Sequence, residues 1–215
     1  MMPLIPQVRV QVRLLLLIAV ALTNSACTEA IYRSMNDPAR DGWQQPTAVI
    51  NSLKIAPGAR VADLGAGGGY FTFPLAEATG PAGRVYAVDI DKESLRFIQE
   101  EGARRGGLPS NIQPVLASPD AANLPPNGID LIFTCNTYHH LSNRPAYMKS
   151  LARHLRQDGR IAIIDFKPSG WLWLFGHATP KETVREEMTL AGYRLLEEFE
   201  YLPKQHFQVF VIAPP

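Results

Sequence analysis

Hydrophobic positions along this chain follow two patterns that alternate from residue 47 onward. Short, nearly continuous apolar runs predict buried β-strands, and apolar residues spaced three and four apart predict helices. The predicted strands are Val61–Leu64, Val85–Val88, Ile112–Leu116, Ile129–Cys135 and Ile161–Ile164. The predicted helices cover residues 47–53, 70–76, 91–105 and 145–155, and a further one follows Thr179. Such alternation predicts a parallel sheet with helices on both faces.

Two apolar segments without a helix between them close the chain. Tyr193–Leu202 and Phe207–Ala213 are separated only by a turn through Pro203. Strands joined by so short a turn must be antiparallel. We therefore expect an α/β fold, a doubly wound and mostly parallel seven-stranded sheet with an antiparallel C-terminal strand pair.

Local signals mark the ends of the last two predicted helices. Gly159 is expected to stop the helix over residues 145–155. The run TPKE at residues 179–182 has the spacing of a capping box, in which the first residue caps the helix and the fourth bonds back to it. Gly192 is expected to end that helix.

Composition and charge indicate one globular domain. The chain has 215 residues, 46% of them hydrophobic and 19% charged, which suits one full α/β domain plus an N-terminal extension. Its 21 Lys and Arg against 20 Asp and Glu give a net charge of +1 without a clustered basic excess, so no nucleic-acid partner is expected. No cluster of histidines and cysteines has metal-site spacing, so no metal is expected, and Cys135 is interpreted as a small buried hydrophobic residue.

The first 27 residues have the features of a bacterial export signal. Arg9 and Arg13 precede an apolar run at Leu14–Leu22 that is too short to span a bilayer comfortably, and small residues follow it. Ser25-Ala26-Cys27 resembles the end of a lipobox, in which the cysteine is lipidated, although Asn24 stands where that motif usually has an aliphatic residue. A lipoprotein signal, a Sec signal and a start codon misplaced upstream of a cytosolic enzyme remain open.

The chain is divided accordingly into three segments. A signal is expected over residues 1–27, a tether over residues 28–39 and the domain over residues 40–215. Export implies the cell envelope, with membrane attachment through Cys27 or residues 14–22, whereas a misplaced start codon implies the cytoplasm.

A glycine-rich turn joins the first strand of the domain to the helix that follows. Gly65, Gly67, Gly68 and Gly69 come directly after the strand, and glycines there let the backbone turn sharply and a ligand approach the main chain. A dinucleotide fingerprint needs a small residue at the sixth place, where this chain has Tyr70, and no phosphate-loop lysine follows. The pattern predicts a nucleotide-type pocket and disfavours a nicotinamide- or flavin-dependent oxidoreductase.

The run DLGAGGG at residues 63–69, with Asp89 at the end of the next strand, resembles the glycine motif of the class I S-adenosylmethionine-dependent methyltransferases. The resemblance extends from about Trp43 to the C-terminus and includes the closing strand pair. It implies S-adenosylmethionine as co-substrate and a small, apolar or aromatic methyl acceptor. An exported protein that kept the fold and binds without turnover is the alternative, since cofactor made in the cytoplasm would not ordinarily reach it.

The resemblance also implies roles for individual residues. Asp89 would accept hydrogen bonds from the ribose hydroxyls, and Asp63 would fix the loop or meet the methionine ammonium. Asp120 would face the adenine amino group, a role that Ser118 or Asn123 could serve instead. The glycines at 65, 67 and 69 would contact the methionine part, where a Cβ would collide. The expected cofactor-binding residues are Asp63, Gly65, Ala66, Gly67, Gly69, Tyr70, Asp89, Ile90, Asp120 and Asn136.

The residues after the fourth strand are expected to face the transferring methyl group, because ligands bind at the switch point of a doubly wound sheet. Asn136 could orient the substrate or the sulfonium, and Tyr138 could offer a ring face to the cation. His139 or His140 could accept a proton from the acceptor, although His140 could instead start the next helix. Displacement at a sulfonium has no obligatory base, because positioning supplies most of the catalysis.

Further segments are candidates for the rim of the pocket. The aromatic run WLWLF at residues 171–175 could be a lid, a membrane-facing patch or a helix turn packed on the core. The other candidates are Arg40, Trp43 and Gln44, as a closing segment, and His177, Gln205 and His206.

Overall fold

A computed structural model describes residues 29–169 and 176–214, which contain a seven-stranded sheet. Its strands are β1 (Arg60–Leu64), β2 (Arg84–Asp89), β3 (Ile112–Leu116), β4 (Ile129–Cys135), β5 (Leu155–Phe166), β6 (Tyr193–Phe199) and β7 (Gln205–Ile212). Their order is β3-β2-β1-β4-β5-β7-β6. The first five strands pair in parallel, and β7 pairs antiparallel with both β5 and β6. The predicted fold class is confirmed.

Helices cover both faces of the sheet. They are α1 (residues 29–35), α2 (Asp41–Gln44), α3 (Pro46–Leu53), α4 (Thr72–Thr79), α5 (Lys92–Arg104), α6 (Arg144–Leu151) and α7 (Lys181–Leu190), with 3-10 turns at Pro38–Arg40, Tyr138–His140 and Ala152–His154. Alternate residues of β1 show the two layers: Val61 packs in the core on one face and Ala62 in the core on the other. Both are fully buried, as expected for a central parallel strand.

The order of the strands changes direction at β1. Strands β2 and β3 lie on one side of β1, and β4 lies on its other side. Ala62 in β1 is flanked by Tyr86 of β2 and Ile132 of β4. The carboxyl ends of these three strands therefore open onto one edge of the sheet, where open α/β folds bind their ligands.

Strand β5 begins earlier than predicted, inside a segment assigned to a helix. Helix α6 ends at Leu151, and Leu155 already pairs with Ile129 of β4. Gly159 lies within the strand rather than stopping a helix, and a Cβ there would lie 3.0 Å from the Ile129 carbonyl oxygen. Pairing with β4 outweighed the local helical spacing.

The predicted capping box at residues 179–182 is wrong, although Gly192 does follow the end of α7 at a φ of +90°. The N-cap is Pro180, and no side chain caps the helix. Thr179 is buried, and its carbonyl oxygen lies 2.8 Å from His206 Nε2. A tertiary contact with β7 thus replaces the local cap.

The predicted tether is wrong for the part that the structure describes. Residues 29–35 are helical, and Tyr32 is buried with its ring centroid 5.6 Å from that of Phe97. The signal over residues 1–27 and the aromatic run at 171–175 lie outside the described residues. Across the ranges 29–169 and 176–214, every helix is too short or too polar to cross a bilayer.

Candidate active site

A cavity of about 620 Å³ lies beyond the carboxyl ends of β1, β2 and β4. Its wall includes expected residues: Arg40, Trp43, Asp63, Gly65, Ala66, Gly67, Gly68, Tyr70, Asp89, Ile90, Ser118, Asn136 and His140. Thr137, within the expected stretch after β4, lines the cavity too. The wall also includes residues that sequence reasoning did not single out: Tyr32, Met35, Phe71, Pro119, Leu141, Ser142, Tyr147 and Phe166. The structure thus brings both halves of the expected site into one cavity.

Gly65 fixes the turn that begins the glycine loop. Its N–H and that of Ala66 both donate to the carbonyl oxygen of Val88, at 2.8 and 3.1 Å. Gly65 has a φ of +78°, and a Cβ there would lie 2.2 Å from the hydroxyl oxygen of Thr137. The position therefore requires glycine for its backbone conformation and for the close approach of the β4 loop.

Gly69 serves packing instead of lining the cavity. It has a φ of +84°, and a Cβ there would lie 3.1 Å from side-chain atoms of both Ile98 and Phe73. Gly69 is absent from the cavity wall, which Gly65, Gly67 and Gly68 line. The reason for glycine at this position is close contact between the loop and helices α4 and α5.

Asp89 ties the glycine loop to the end of β2. One carboxylate oxygen accepts a hydrogen bond from the Gly67 N–H at 2.9 Å, and the other accepts one from the Asp91 N–H at 3.0 Å. Each carboxylate oxygen has a further acceptor site, and Asp89 lines the cavity. The carboxylate can therefore hold the loop and accept hydrogen bonds from a ligand at the same time.

Asp63 stabilises the loop from beneath. Its side chain is buried and accepts a hydrogen bond from the Thr72 hydroxyl at 2.6 Å, which joins the end of β1 to the start of α4. Burial raises the pKa of Asp63 to about 7, and the Thr72 hydrogen bond opposes that shift. Asp63 is therefore poised to change charge near neutral pH.

Helix α1 covers one side of the glycine loop. The Asn36 side-chain amide donates to the Gly68 carbonyl oxygen at 2.6 Å, and Met35 and Tyr32 line the cavity. Tyr32 also donates a hydrogen bond to Asp91. The sequence signal for this part of the wall was the spacing of Tyr32 and Met35, since residues three apart share one helix face.

The predicted closing segment does reach the cavity. The Arg40 guanidinium stacks over the Tyr70 ring at 4.3 Å from its centroid, and Tyr70 donates a hydrogen bond to Asp41. Arg40 also donates to the Gln44 side-chain oxygen at 2.9 Å, and Gln44 is fully buried. Arg40 and Trp43 line the wall while Gln44 supports them from behind.

Cys135 and Asn136 join the end of β4 to helix α2 and to β7, respectively. The Gln205 side-chain amide donates to the Asn136 side-chain oxygen at 2.7 Å, and Gln44 donates to the Cys135 sulfur at 2.8 Å. Asn136 has a φ of +57° and lines the cavity. Burial raises the pKa of the Cys135 thiol to about 12, so Cys135 stays protonated at neutral pH.

Tyr138 does not face the cavity, which corrects the expectation of a ring against the cationic centre. Its side chain is fully buried, and its hydroxyl donates to Glu187 at 2.6 Å, as does Arg144 at 2.8 Å. The 3-10 turn over residues 138–140 directs successive side chains about 120° apart. Tyr138 therefore enters the core, while Thr137 and His140 line the cavity.

The two adjacent histidines have different surroundings. The His139 side chain is only 4% exposed and does not line the cavity, and its Nδ1 lies 2.7 Å from an oxygen of Asp165. His140 lines the cavity. Burial lowers the pKa of His140, and the neighbouring imidazoles of His139 and His177 lower it further. His140 is thus the histidine placed to contact a ligand.

Two further residues named from the sequence, Asp120 and His206, do not line the cavity. Asp120 is exposed and is not in the wall, where Ser118 and Pro119 lie instead. His206, a candidate for either the rim or the polar surface, is instead buried beside Thr179.

Residues 61–159 match a family model described as a methyltransferase domain. The ubiquinone/menaquinone biosynthesis C-methyltransferase UbiE of Shewanella pealeana is 30% identical over 141 residues, which are 64% of this chain and 55% of that protein. The protein of the same name from Pasteurella multocida is 29% identical over 139 residues, which are 63% of this chain and 51% of that protein. The chain thus spans about half the length of the curated relatives it matches.

Solved structures with the same fold include a SAM dependent methyltransferase from Aquifex aeolicus. It superposes with a TM-score of 0.78 at 23% identity, over 86% of this chain and 98% of that chain. A putative methyltransferase from Haloferax volcanii, solved with the activator Trm112, gives a TM-score of 0.70 at 15% identity, over 87% of this chain and 95% of that chain. At these identities the likeness is one of fold.

Proposed function

We propose that this chain is a class I S-adenosylmethionine-dependent methyltransferase, that its cavity binds S-adenosylmethionine and that it methylates a small apolar or aromatic acceptor. The matching methyltransferase-domain model and the UbiE relatives support the proposal. The observation that carries the proposal is the shared cavity. The glycine loop and Asp89 form one part of its wall, and Asn136 and His140 from the β4 loop form another.

The residues present fit S-adenosylmethionine. Asp89 retains acceptor sites for two ribose hydroxyls. Gly65 and Gly67 line the cavity, so their main chain can contact the methionine part. S-adenosylmethionine supplies a methyl group on a sulfonium, which is already activated for displacement. The protein's own part is to align the acceptor with the methyl group and to exclude water.

Aromatic side chains line the cavity, among them Trp43, Tyr70, Tyr147 and Phe166. Their ring faces suit a flat, apolar molecule. The UbiE relatives are C-methyltransferases of ubiquinone and menaquinone biosynthesis by name, which supports an acceptor of aromatic ring type. His140, which lines the cavity, is the histidine placed beside a bound acceptor.

Titration calorimetry with S-adenosylmethionine tests the proposal. Asp89→Ala should weaken binding by about ten- to a hundredfold, because hydrogen bonds to charged groups contribute about 1.5–3 kcal/mol. The matched control is Asp120→Ala, which removes an exposed carboxylate outside the wall and should change affinity less than about twofold. Circular dichroism shows whether each variant is folded. Equal affinity in folded Asp89→Ala and wild type would refute the cofactor assignment.

We also propose that the protein is exported and anchored to the cell envelope. The basic, apolar and small-residue order of residues 1–27 supports export, and Cys27 is the candidate lipid attachment site. Metabolic labelling with palmitate in a bacterial host should label the wild type but not Cys27→Ala. Labelling of both, or of neither, would argue against lipidation.

A further inference from the structure

Three histidines from two distant parts of the chain meet beside the cavity. His139 and His140 belong to the β4 loop, and His177 precedes α7. One ring nitrogen of each lies within 4.8 Å of a ring nitrogen of the other two. These positions lack the local spacing of a metal site in the sequence, so no metal was expected, but folding produces the cluster.

The ring separations are close to those of a tetrahedral metal site. Ring centroids are 5.8 Å apart for His139 and His177, 5.8 Å for His140 and His177, and 4.1 Å for His139 and His140. Three imidazoles around one Zn²⁺ ion, with Zn–N distances of about 2.0–2.1 Å, have centroids roughly 5 Å apart. Small side-chain rotations would bring the three nitrogens to bonding distance.

Asp165 supplies the supporting carboxylate that metal-binding histidines usually have. Its side chain is fully buried, and one oxygen lies 2.7 Å from His139 Nδ1. The other oxygen is buried without a hydrogen-bond partner among the described residues. A carboxylate on Nδ1 fixes the ring orientation and leaves Nε2 as the basic nitrogen, which is the arrangement found behind metal-ligating histidines.

We propose that His139, His140 and His177 bind one divalent transition-metal ion, Zn²⁺ by ligand chemistry, at the wall of the cavity. Neutral imidazole is a preferred ligand of Zn²⁺, and three protein ligands leave a fourth position open. Because His140 lines the cavity, that position is available to an oxygen or nitrogen atom of a small molecule there. The identification of that small molecule as a methyl acceptor rests on the proposed function. The metal site itself does not depend on the proposed function.

Binding of Co²⁺ and Zn²⁺ to the tag-free full chain tests the site. After chelator treatment, one Co²⁺ per chain should bind with the visible absorption of a tetrahedral ion, and Zn²⁺ should displace it. His177→Ala changes an exposed side chain and should weaken binding at least about tenfold with loss of that absorption. His177→Cys should retain binding, because thiolate is also a Zn²⁺ ligand. Asp165→Asn, which keeps the size of the side chain but removes the carboxylate beside His139 Nδ1, should weaken binding about tenfold or more.

The matched control is His154→Asn. His154 lies outside the cluster, with its Nδ1 3.2 Å from the Pro125 carbonyl oxygen, so this variant should bind metal as the wild type does. The proposal is overturned if no stoichiometric metal binds, or if His177→Ala binds as tightly as the wild type. Metal is titrated without S-adenosylmethionine, so this result is independent of the calorimetry on Asp89→Ala.

Discussion

The two ends of the cavity are built by different means. At the glycine-loop end, consecutive residues from 63 to 69 and the nearby Asp89 position one another through main-chain hydrogen bonds. At the β4 end, the wall combines side chains from three separate segments: Trp43 from α2, Asn136 and His140 from the β4 loop, and Phe166 from β5. The first end is therefore specified locally, and the second exists only once the whole sheet has formed.

This difference has a consequence for substitutions. A change at the glycine-loop end acts through the backbone and should affect stability and ligand binding together. A change at the β4 end should affect either ligand binding or stability, because some of its side chains face the cavity and others pack in the core.

The largest effect is expected from Gly65→Ala. The substitution places a Cβ at positive φ, which costs roughly 1–2 kcal/mol, and forces Thr137 to move, which costs roughly 1–3 kcal/mol more. Both stability, by urea unfolding, and S-adenosylmethionine affinity, by calorimetry, should fall.

Gly106→Ala is the matched control for that comparison. Gly106 also has a positive φ, +98°, but a Cβ there meets nothing within 4 Å. Gly106→Ala should lower the unfolding free energy only by the cost of the backbone conformation, roughly 1–2 kcal/mol. Its affinity for S-adenosylmethionine should be unchanged. Equal losses in the two variants would mean that the contact with Thr137 has no energetic weight.

A smaller, pH-dependent effect is expected from Asp63→Asn. The pKa of Asp63 is raised from 3.8 to about 7, so the folded state holds this proton more tightly than the unfolded chain. Its contribution to stability is full below about pH 4, falls as pH rises to about 7, and is constant above that. Asp63→Asn removes this dependence of the unfolding free energy on pH.

Urea unfolding between pH 4 and pH 8 measures the Asp63 contribution. The unfolding free energy of Asp63→Asn minus that of the wild type should rise with pH up to about 7 and then level off, by up to roughly 4 kcal/mol at about 1.4 kcal/mol per pKa unit. A difference that is independent of pH would show that Asp63 has an ordinary pKa in the folded protein.

The smallest effect is expected from Tyr138→Phe. The variant loses the hydrogen bond to Glu187 and about 1 kcal/mol of stability, but S-adenosylmethionine affinity should not change, since Tyr138 does not line the cavity. Tyr193→Phe is the control, because Tyr193 is equally buried and donates to the Met148 carbonyl oxygen at 3.0 Å. A selective loss of affinity in Tyr138→Phe would show that the Tyr138 hydroxyl contributes to the ligand site, contrary to its place in the core.

The sequence predicted the glycine-loop end well because short-range geometry decides it. The spacing of Gly65, Gly67 and Asp89 is a property of one strand, one turn and the next strand, and the structure places all three at the cavity wall. The strand pattern likewise sufficed for the fold class. Gly69 was assigned to the ligand because spacing alone does not distinguish contact with a ligand from contact with α4 and α5.

The β4 end could be predicted only in part, because side-chain direction and distant partners decide it. Adjacency in sequence gave no reason for Tyr138 to enter the core while His140 lines the cavity. The meeting of His139 with His177 depends on the path of the chain after β5. Strand β5 itself began early because pairing with β4 prevailed over a helical pattern at Leu155.

We propose that the glycine-loop end and the β4 end form one methyl-transfer site, and a crystal structure with S-adenosylhomocysteine tests this most directly. We expect ribose hydroxyls about 3 Å from the Asp89 carboxylate, with the sulfur between the glycine loop and the wall formed by Asn136 and His140. A ribose away from Asp89, or a sulfur facing away from Asn136 and His140, would contradict it.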